Sequence, residues 1–354
     1  MSVLKNEWTI FIVALVASIL TAVLTFTGVN PAFVFIISAV ALASLATVVG
    51  HSTEQLGHYL GPGPTGILQA SVASLPELFV SFFALQAGLV TVVQSALVGS
   101  ILANTLLIMG LAFLFGGLKN GTQKFGSEKP RAIVILMVLA VSALVVPTLA
   151  DAIHTPAEAH EEALSIASAV VLLAVFAASI PFSWKGGPIS ENVPAEDMEE
   201  KIWPMSRAII TLGVAGVITA FVSEWFVSAL EPTMLAWGIS EAFAGLVIVA
   251  IAGNAVENVV GIRLAIKNKT DFAISVLMNS SLQVALALTP ILILLSYFFA
   301  PIPLTLVLPP LLVVALALAA ILSAFIVFDG ESNWLEGIAL VGLYLMIAIS
   351  FWWG

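Results

Sequence analysis

The chain has 354 residues, of which 60% are apolar and 9% charged, and its mean hydropathy is +1.13. A soluble domain carries roughly 25% charged residues, so this composition excludes a water-soluble globule and predicts one bundle of membrane-spanning helices. A net charge of -10 leaves no basic face for nucleic acid, and the absence of cysteine excludes disulfides and thiolate metal sites.

A helix needs about 20 apolar residues to cross the hydrocarbon core. The first such stretch, 8–27, ends in Gly28-Val29-Asn30-Pro31 with no small-residue cleavage site, so it reads as a retained span rather than a signal peptide. Further spans are expected at 31–50, 64–86, 88–115, 131–150, 163–182, 206–228, 240–263, 271–298, 304–328 and 334–353, giving about eleven. The clearly hydrophilic internal stretch is 183–204, with Glu191, Glu196, Asp197, Glu199 and Glu200. The expected fold is therefore an all-α integral membrane protein. It has an extra N-terminal helix (1–30), a first five-helix repeat (31–182), an acidic cytoplasmic linker (183–205) and a second five-helix repeat (206–354).

Charge placement supports this map. Lys5, Lys119, Lys124, Lys129, Arg131, Lys185, Lys201, Arg207, Arg263, Lys267 and Lys269 all fall on one side of an eleven-span chain, which the positive-inside tendency makes cytoplasmic. Asp151, Glu158, Glu161, Glu162, Glu231 and Glu241 fall on the other. The expected location is a prokaryotic plasma membrane, with the N-terminus cytoplasmic and the C-terminus outside.

Five spans per half force opposite orientations, an inverted repeat of the kind common in secondary transporters. Ala73-Ser74-Leu75-Pro76-Glu77 matches Gly253-Asn254-Ala255-Val256-Glu257, and Gly99-Ser100-Ile101-Leu102-Ala103-Asn104 corresponds to Asn279-Ser280-Ser281-Leu282-Gln283.

Of the twenty-one acidic residues, only Glu77 and Glu257 lie well inside expected spans. Intramembrane carboxylates are costly, which makes both functional candidates. The bland alternative is a neutral carboxyl satisfied inside the bundle. Pro76 removes an N–H and crowds the carbonyl of Val72, and Gly253 weakens the helix before Asn254, so both helices are expected to break. Ser74 with Glu77, Asn254 with Glu257, Ser100 with Asn104, and Ser280 with Gln283 share helical faces. Ser100 and Ser280 also suit ordinary helix packing.

These groups offer only oxygen ligands, and two carboxylates suit a divalent hard cation such as Ca2+. Zinc or copper would call for imidazole or thiolate. His51, His58, His154 and His160 fall in loops or at span ends and read as exposed bystanders. Glu224 and Glu336 lie nearer span ends and read as structural.

A resemblance follows from these motifs. Thr53-Glu54-Gln55-Leu56, Gly66-Ile67-Leu68-Gln69-Ala70-Ser71 through Glu77, and Ala87-Gly88 through Gly110 resemble the first repeat of proton/calcium exchangers (CAX-type) of the cation/calcium antiporter superfamily. Gly253 to Glu257, Lys267-Asn268-Lys269-Thr270-Asp271 and Ser280 to Gln283 resemble the second. The resemblance implies that Glu77 and Glu257 bind both the transported Ca2+ and the counter-transported H+, with Asn254, Ser100, Asn104, Ser280 and Gln283 around them. It implies no cofactor. It also implies that the acidic linker, through Glu196, Glu199 and Glu200, binds a regulatory calcium, the alternative being a plain solvated loop.

Two departures stand out. Ser74-Leu75-Pro76-Glu77 looks like the sodium/calcium branch of the superfamily, and Asn279 stands where a glycine is expected. The leading expectation is export of Ca2+ in exchange for H+ by alternating access, with the lipid bilayer as environment. The alternatives are Na+/Ca2+ or monovalent cation/H+ exchange on the same fold, an intramembrane hydrolase using paired carboxylates, or a channel.

Overall fold

The computed structural model describes residues 2–60, 72, 74–126, 128–184 and 202–353. The helices, in chain order, are α1 (Ser2–Thr27), α2 (Pro31–Leu60), α3 (Leu75–Gln86), α4 (Val90–Asn120), α5 (Glu128–Ala152), α6 (Glu161–Trp184), α7 (Met205–Trp237), α8 (Glu241–Gly253), α9 (Ala255–Ile266), α10 (Thr270–Phe299), α11 (Pro310–Asp329) and α12 (Trp334–Ser350). Two short strands, β1 (Gln123–Lys124) and β2 (Glu331–Ser332), pair antiparallel with Gln123 opposite Ser332.

Among the described residues, eight helices are long and apolar enough to cross a membrane, or nine if α8 and α9, bent by 66°, form one broken span. Helices α3 and α12 are apolar but shorter, at 12 and 17 residues. The outward faces are apolar, as lipid contact requires; Phe26 and Phe298 are each 80% exposed. Hydroxyls inside the helices bond back to a carbonyl one turn earlier, as Thr21 does to Ala17 (2.8 Å) and Thr219 to Ala215 (2.7 Å). Without water, that is the nearest acceptor.

The most extensive helix pair is α2 with α7. Phe35, near the start of α2, stacks on Phe226 at 4.8 Å and meets Trp237 edge-on at 5.9 Å, whereas His51 meets Trp203 at 4.9 Å. The two helices are therefore antiparallel. Helix α1 packs along α2 and touches α7. Helices α4 and α10 are the most buried of the long helices, with 83% and 61% of their apolar windows inside the protein. Backbones meet where glycine allows it. Gly99 of α4 lies against Leu246 of α8, Gly245 of α8 lies against Val92, and a Cβ on Gly110 would come within 2.8 Å of the Gly337 carbonyl.

One hydrogen-bonded turn occurs twice. Helix α3 and helix α9 each have 12 residues, and Leu75 and Ala255 are 180 positions apart. After α3, Gly88 has φ +77° and donates to Leu85 (3.0 Å), and Leu89 donates to Ala84 (2.9 Å). After α9, Asn268 has φ +60° and donates to Ala265 (3.0 Å), and Lys269 donates to Leu264 (2.9 Å). Asparagine is among the few non-glycine residues that tolerate this region.

Three further features depart from the sequence expectation. The span expected at 304–328 begins at Pro310. Residues 304–308 are irregular instead, with a bend at Leu306, and Leu304, Leu306 and Leu308 are buried. Side chains from four helices hold this strap: Ser296 accepts from Leu304 N (2.8 Å), Ser165 from Leu306 N (2.9 Å) and Thr148 from Leu308 N (2.9 Å). Thr148 donates to Leu306 O (2.8 Å), and Gln94 donates to Thr305 O (3.0 Å) and Val307 O (2.9 Å). Consecutive prolines at 309 and 310 bar a helix from starting earlier. Secondly, π-helical turns interrupt α4 (Ala103–Ile108), α8 (Ala244–Val249) and α10 (Val284–Leu288). Thirdly, His51 is not an exposed bystander: it is half-buried against Trp203, whose backbone N–H donates to Gln55 Oε1 (2.9 Å) and whose ring carries the Arg207 guanidinium at 4.1 Å. The aromatic residue near the end of the linker covers it.

Candidate functional site

Both carboxylate helices start where the sequence places a helix-weakening residue. Ser74 stands at the N-cap of α3 with φ −83° and ψ 8°, and Pro76 sits in the first turn, where its missing N–H costs nothing. Asn254 stands between α8 and α9 with φ −94° and ψ 24°. Glu77 and Glu257 occupy the first turns of α3 and α9.

Glu77 is 8% exposed and Asn254 1%. Glu77 Oε1 accepts from Ser100 Oγ (2.7 Å) and from Asn254 Nδ2 (2.6 Å). Asn254 Nδ2 also faces Ser100 Oγ (2.8 Å) and Ala250 O (2.9 Å), so two amide hydrogens serve three acceptors. Asn104 Nδ2 then donates to Asn254 Oδ1 (3.2 Å) and to Ser280 Oγ (3.1 Å). The result is one network running Glu77, Ser100, Asn254, Asn104, Ser280, which joins α3 and α4 to α8–α9 and α10.

One oxygen in this network is uncompensated. Among the described residues Asn104 Oδ1 is buried without a partner, and both donors that reach Glu77 go to Oε1. Buried acceptors are rarely left so, because each loses its water at a cost of about 1–3 kcal/mol. A hard cation would supply what Asn104 Oδ1 lacks, beside a carboxylate that has one oxygen engaged.

The other expected site residues fall around this network. Glu257 and Gln283 are half-buried, and α9 packs on the π-helical turn of α4 that carries Asn104. Ser74 is half-buried and contributes its carbonyl, which accepts from Leu78 N (2.9 Å). Its hydroxyl makes no cap hydrogen bond. Glu196, Glu199 and Glu200 lie outside the described residues. Glu336 is bound up in a capping box with Asn333, and His154, 81% exposed, meets Glu158 at 3.1 Å. Among the described residues no three His, Cys, Asp or Glu side chains come together. A cation here would depend on amide and hydroxyl oxygens beside the carboxylates.

Sequence reasoning missed the Ala250 carbonyl, which joins the network because it precedes Asn254 by one turn. It also read Gly253 only as a helix breaker. A Cβ there would lie 2.6 Å from Glu77 Cγ, a contact between helices that no local pattern announces.

The model of the sodium/calcium exchanger protein family matches residues 30–185 and 207–353. The chain is 36% identical over 326 residues to the Ca2+/H+ antiporter ChaA of Bacillus subtilis, covering 90% of this chain and 92% of that one. It is 34% identical over 342 residues to the Ca2+/H+ antiporter of Aphanothece halophytica, covering 90% and 89%. The solved structure of native YfkE superposes with a TM-score of 0.83 at 32% identity, over 97% of this chain and 99% of that one.

Proposed function

Because this chain belongs to the sodium/calcium exchanger protein family, we propose that it is a secondary active antiporter that exports Ca2+ in exchange for H+. It is a transporter of the membrane rather than an enzyme. Relatives named Ca2+/H+ antiporters, similar over nine tenths of the chain, support this. The observation that carries the site is the Glu77 network: a buried carboxylate at the meeting of four helices, with two donors on one of its oxygens.

The mechanism follows from charge. Two carboxylates, Glu77 and Glu257, form the transport site with Asn254, Ser100, Asn104, Ser280, Gln283 and Ser74 around them. An empty, doubly charged site is costly to carry through a low-dielectric core. Two protons neutralise it, and so does one Ca2+. The carrier reorients in either state and seldom in neither, which couples the two flows by alternating access.

The recurring helix and turn, 180 positions apart, support two inverted five-helix repeats, 31–182 and 206–354, behind an extra N-terminal span. Eleven spans in all would place the N-terminus in the cytoplasm and the C-terminus outside.

Proteoliposomes test the reading. A proton gradient should drive 45Ca2+ uptake without sodium, and Glu77→Gln and Glu257→Gln should each abolish it while the protein remains in the membrane. A near wild-type rate in either variant sinks the two-carboxylate site. Uptake driven by sodium and not by protons would move the chain to Na+/Ca2+ exchange, the reading that Ser74-Leu75-Pro76-Glu77 favours.

A further inference from the structure

We propose that Gly253 is a positioning residue for exchange: the side chain missing at the bend of α8 and α9 is the seat of the Glu77 carboxylate. The seat decides which carboxylate oxygen meets the transported ion. The inference rests on the reading of Glu77 as an ion ligand, and deepens it.

A Cβ built on Gly253 would lie 2.6 Å from Glu77 Cγ, 3.1 Å from Oε1 and 3.3 Å from Cδ. Non-bonded carbons rest at about 3.5–4.0 Å, so any larger residue at 253 must expel Glu77 from this conformer. Backbone conformation does not demand glycine here, since Gly253 is absent from the glycines with positive φ. Only space does. The other close-packed glycines of the bundle meet different neighbours: Gly99 and Gly245 meet backbone of the facing helix, and Gly261 meets the apolar Leu277. Gly253 meets a carboxylate.

Once seated, Glu77 has little freedom. Gly253 lies against its Cγ, while Ser100 and Asn254 hold Oε1 at 2.7 and 2.6 Å. Oε1 is thereby occupied, and Oε2 is left for a proton or a cation. Glu77 acts as a fixed, one-oxygen ligand. The residue 180 positions before Gly253 is Ala73, so the sequence offers Glu257 no matching glycine.

The test uses the full chain, with Ca2+ as the probe. Gly253→Ala should raise the apparent KM for Ca2+ at least tenfold, and abolish the rise in Tm that Ca2+ produces in detergent. Gly213→Ala, with open space beside it, should leave both unchanged. A second comparison separates the seat from a general fault in the helix. Without Ca2+, Gly253→Ala should lower Tm in the wild-type background and have no such effect in a Glu77→Ala background, where the clashing atoms are gone. Should the single variant fail to fold, recovery of folded protein in the double variant supports the seat. An equal loss in both backgrounds overturns it, as does a wild-type KM for Gly253→Ala. If Glu77→Gln is inactive while Gly253→Ala transports normally, the site stands and the seat falls; if Glu77→Gln transports, the site itself falls.

Discussion

Asn254 donates to three acceptors on three helices, and Ser100 donates to one carboxylate oxygen. Their removal should therefore differ in extent. Ser100→Ala deletes one hydrogen bond to a charged acceptor, worth about 1.5–3 kcal/mol, or about a 10- to 100-fold loss of apparent Ca2+ affinity in equilibrium binding. Asn254→Ala should cost more, because it also strands Asn104, which donates to its Oδ1. Equal losses for the two would contradict the network. Protons and Ca2+ compete for the same carboxylates, so apparent Ca2+ affinity should fall as pH drops from about 8.5 to about 6, with maximal binding little changed. Affinity that is flat across that range would separate the proton site from the calcium site. Glu77, Asn254, Ser100 and Asn104 were legible in the sequence because carboxylates and amides in apolar spans are rare, and each motif has a counterpart in the other half. Gly253 was legible only as a helix breaker, since its role depends on a helix more than 160 residues away.

At the scale of elements, the helix start after Ser74 and the break at Asn254 could be read from Pro76 and Gly253, but the π-helical turns could not. One extra residue in a turn leaves no mark on composition or periodicity. The strap over 304–308 was hidden for a different reason: a run of leucines reads as the start of a span until Pro309 and Pro310 are weighed as a helix start. The strap depends on side chains for its backbone hydrogen bonds, which makes it sensitive to single changes. Thr148→Val keeps the shape of Thr148 but leaves Leu308 N and Leu306 O without their partner. At about 1–3 kcal/mol for each buried unsatisfied group, a clear fall in Tm is expected. Thr27→Val, at an exposed helix end, should have almost no effect. A Thr148→Val protein as stable as wild type would show that the strap carries no strain in its absence.

At the scale of the whole molecule, the proposed topology puts Lys124 and Glu158, both exposed, on opposite sides of the membrane. The chain has no cysteine, so single cysteines at 124 and 158 can be labelled without background. Labelling of both from the same face of intact cells would end the eleven-span arrangement. The family match begins at residue 30, after α1, and α1 packs mainly along α2 at the edge of the bundle. The strap, by contrast, ties the two halves of the chain together, and this sets an order of assembly. Its partners Gln94, Thr148 and Ser165 are synthesised long before it, and Ser296 only just before. Newly made second-half helices therefore carry backbone groups at 305–308 whose partners lie on the first half. A second half expressed alone should be recognised as incomplete and degraded, and co-expression of the first half should rescue it.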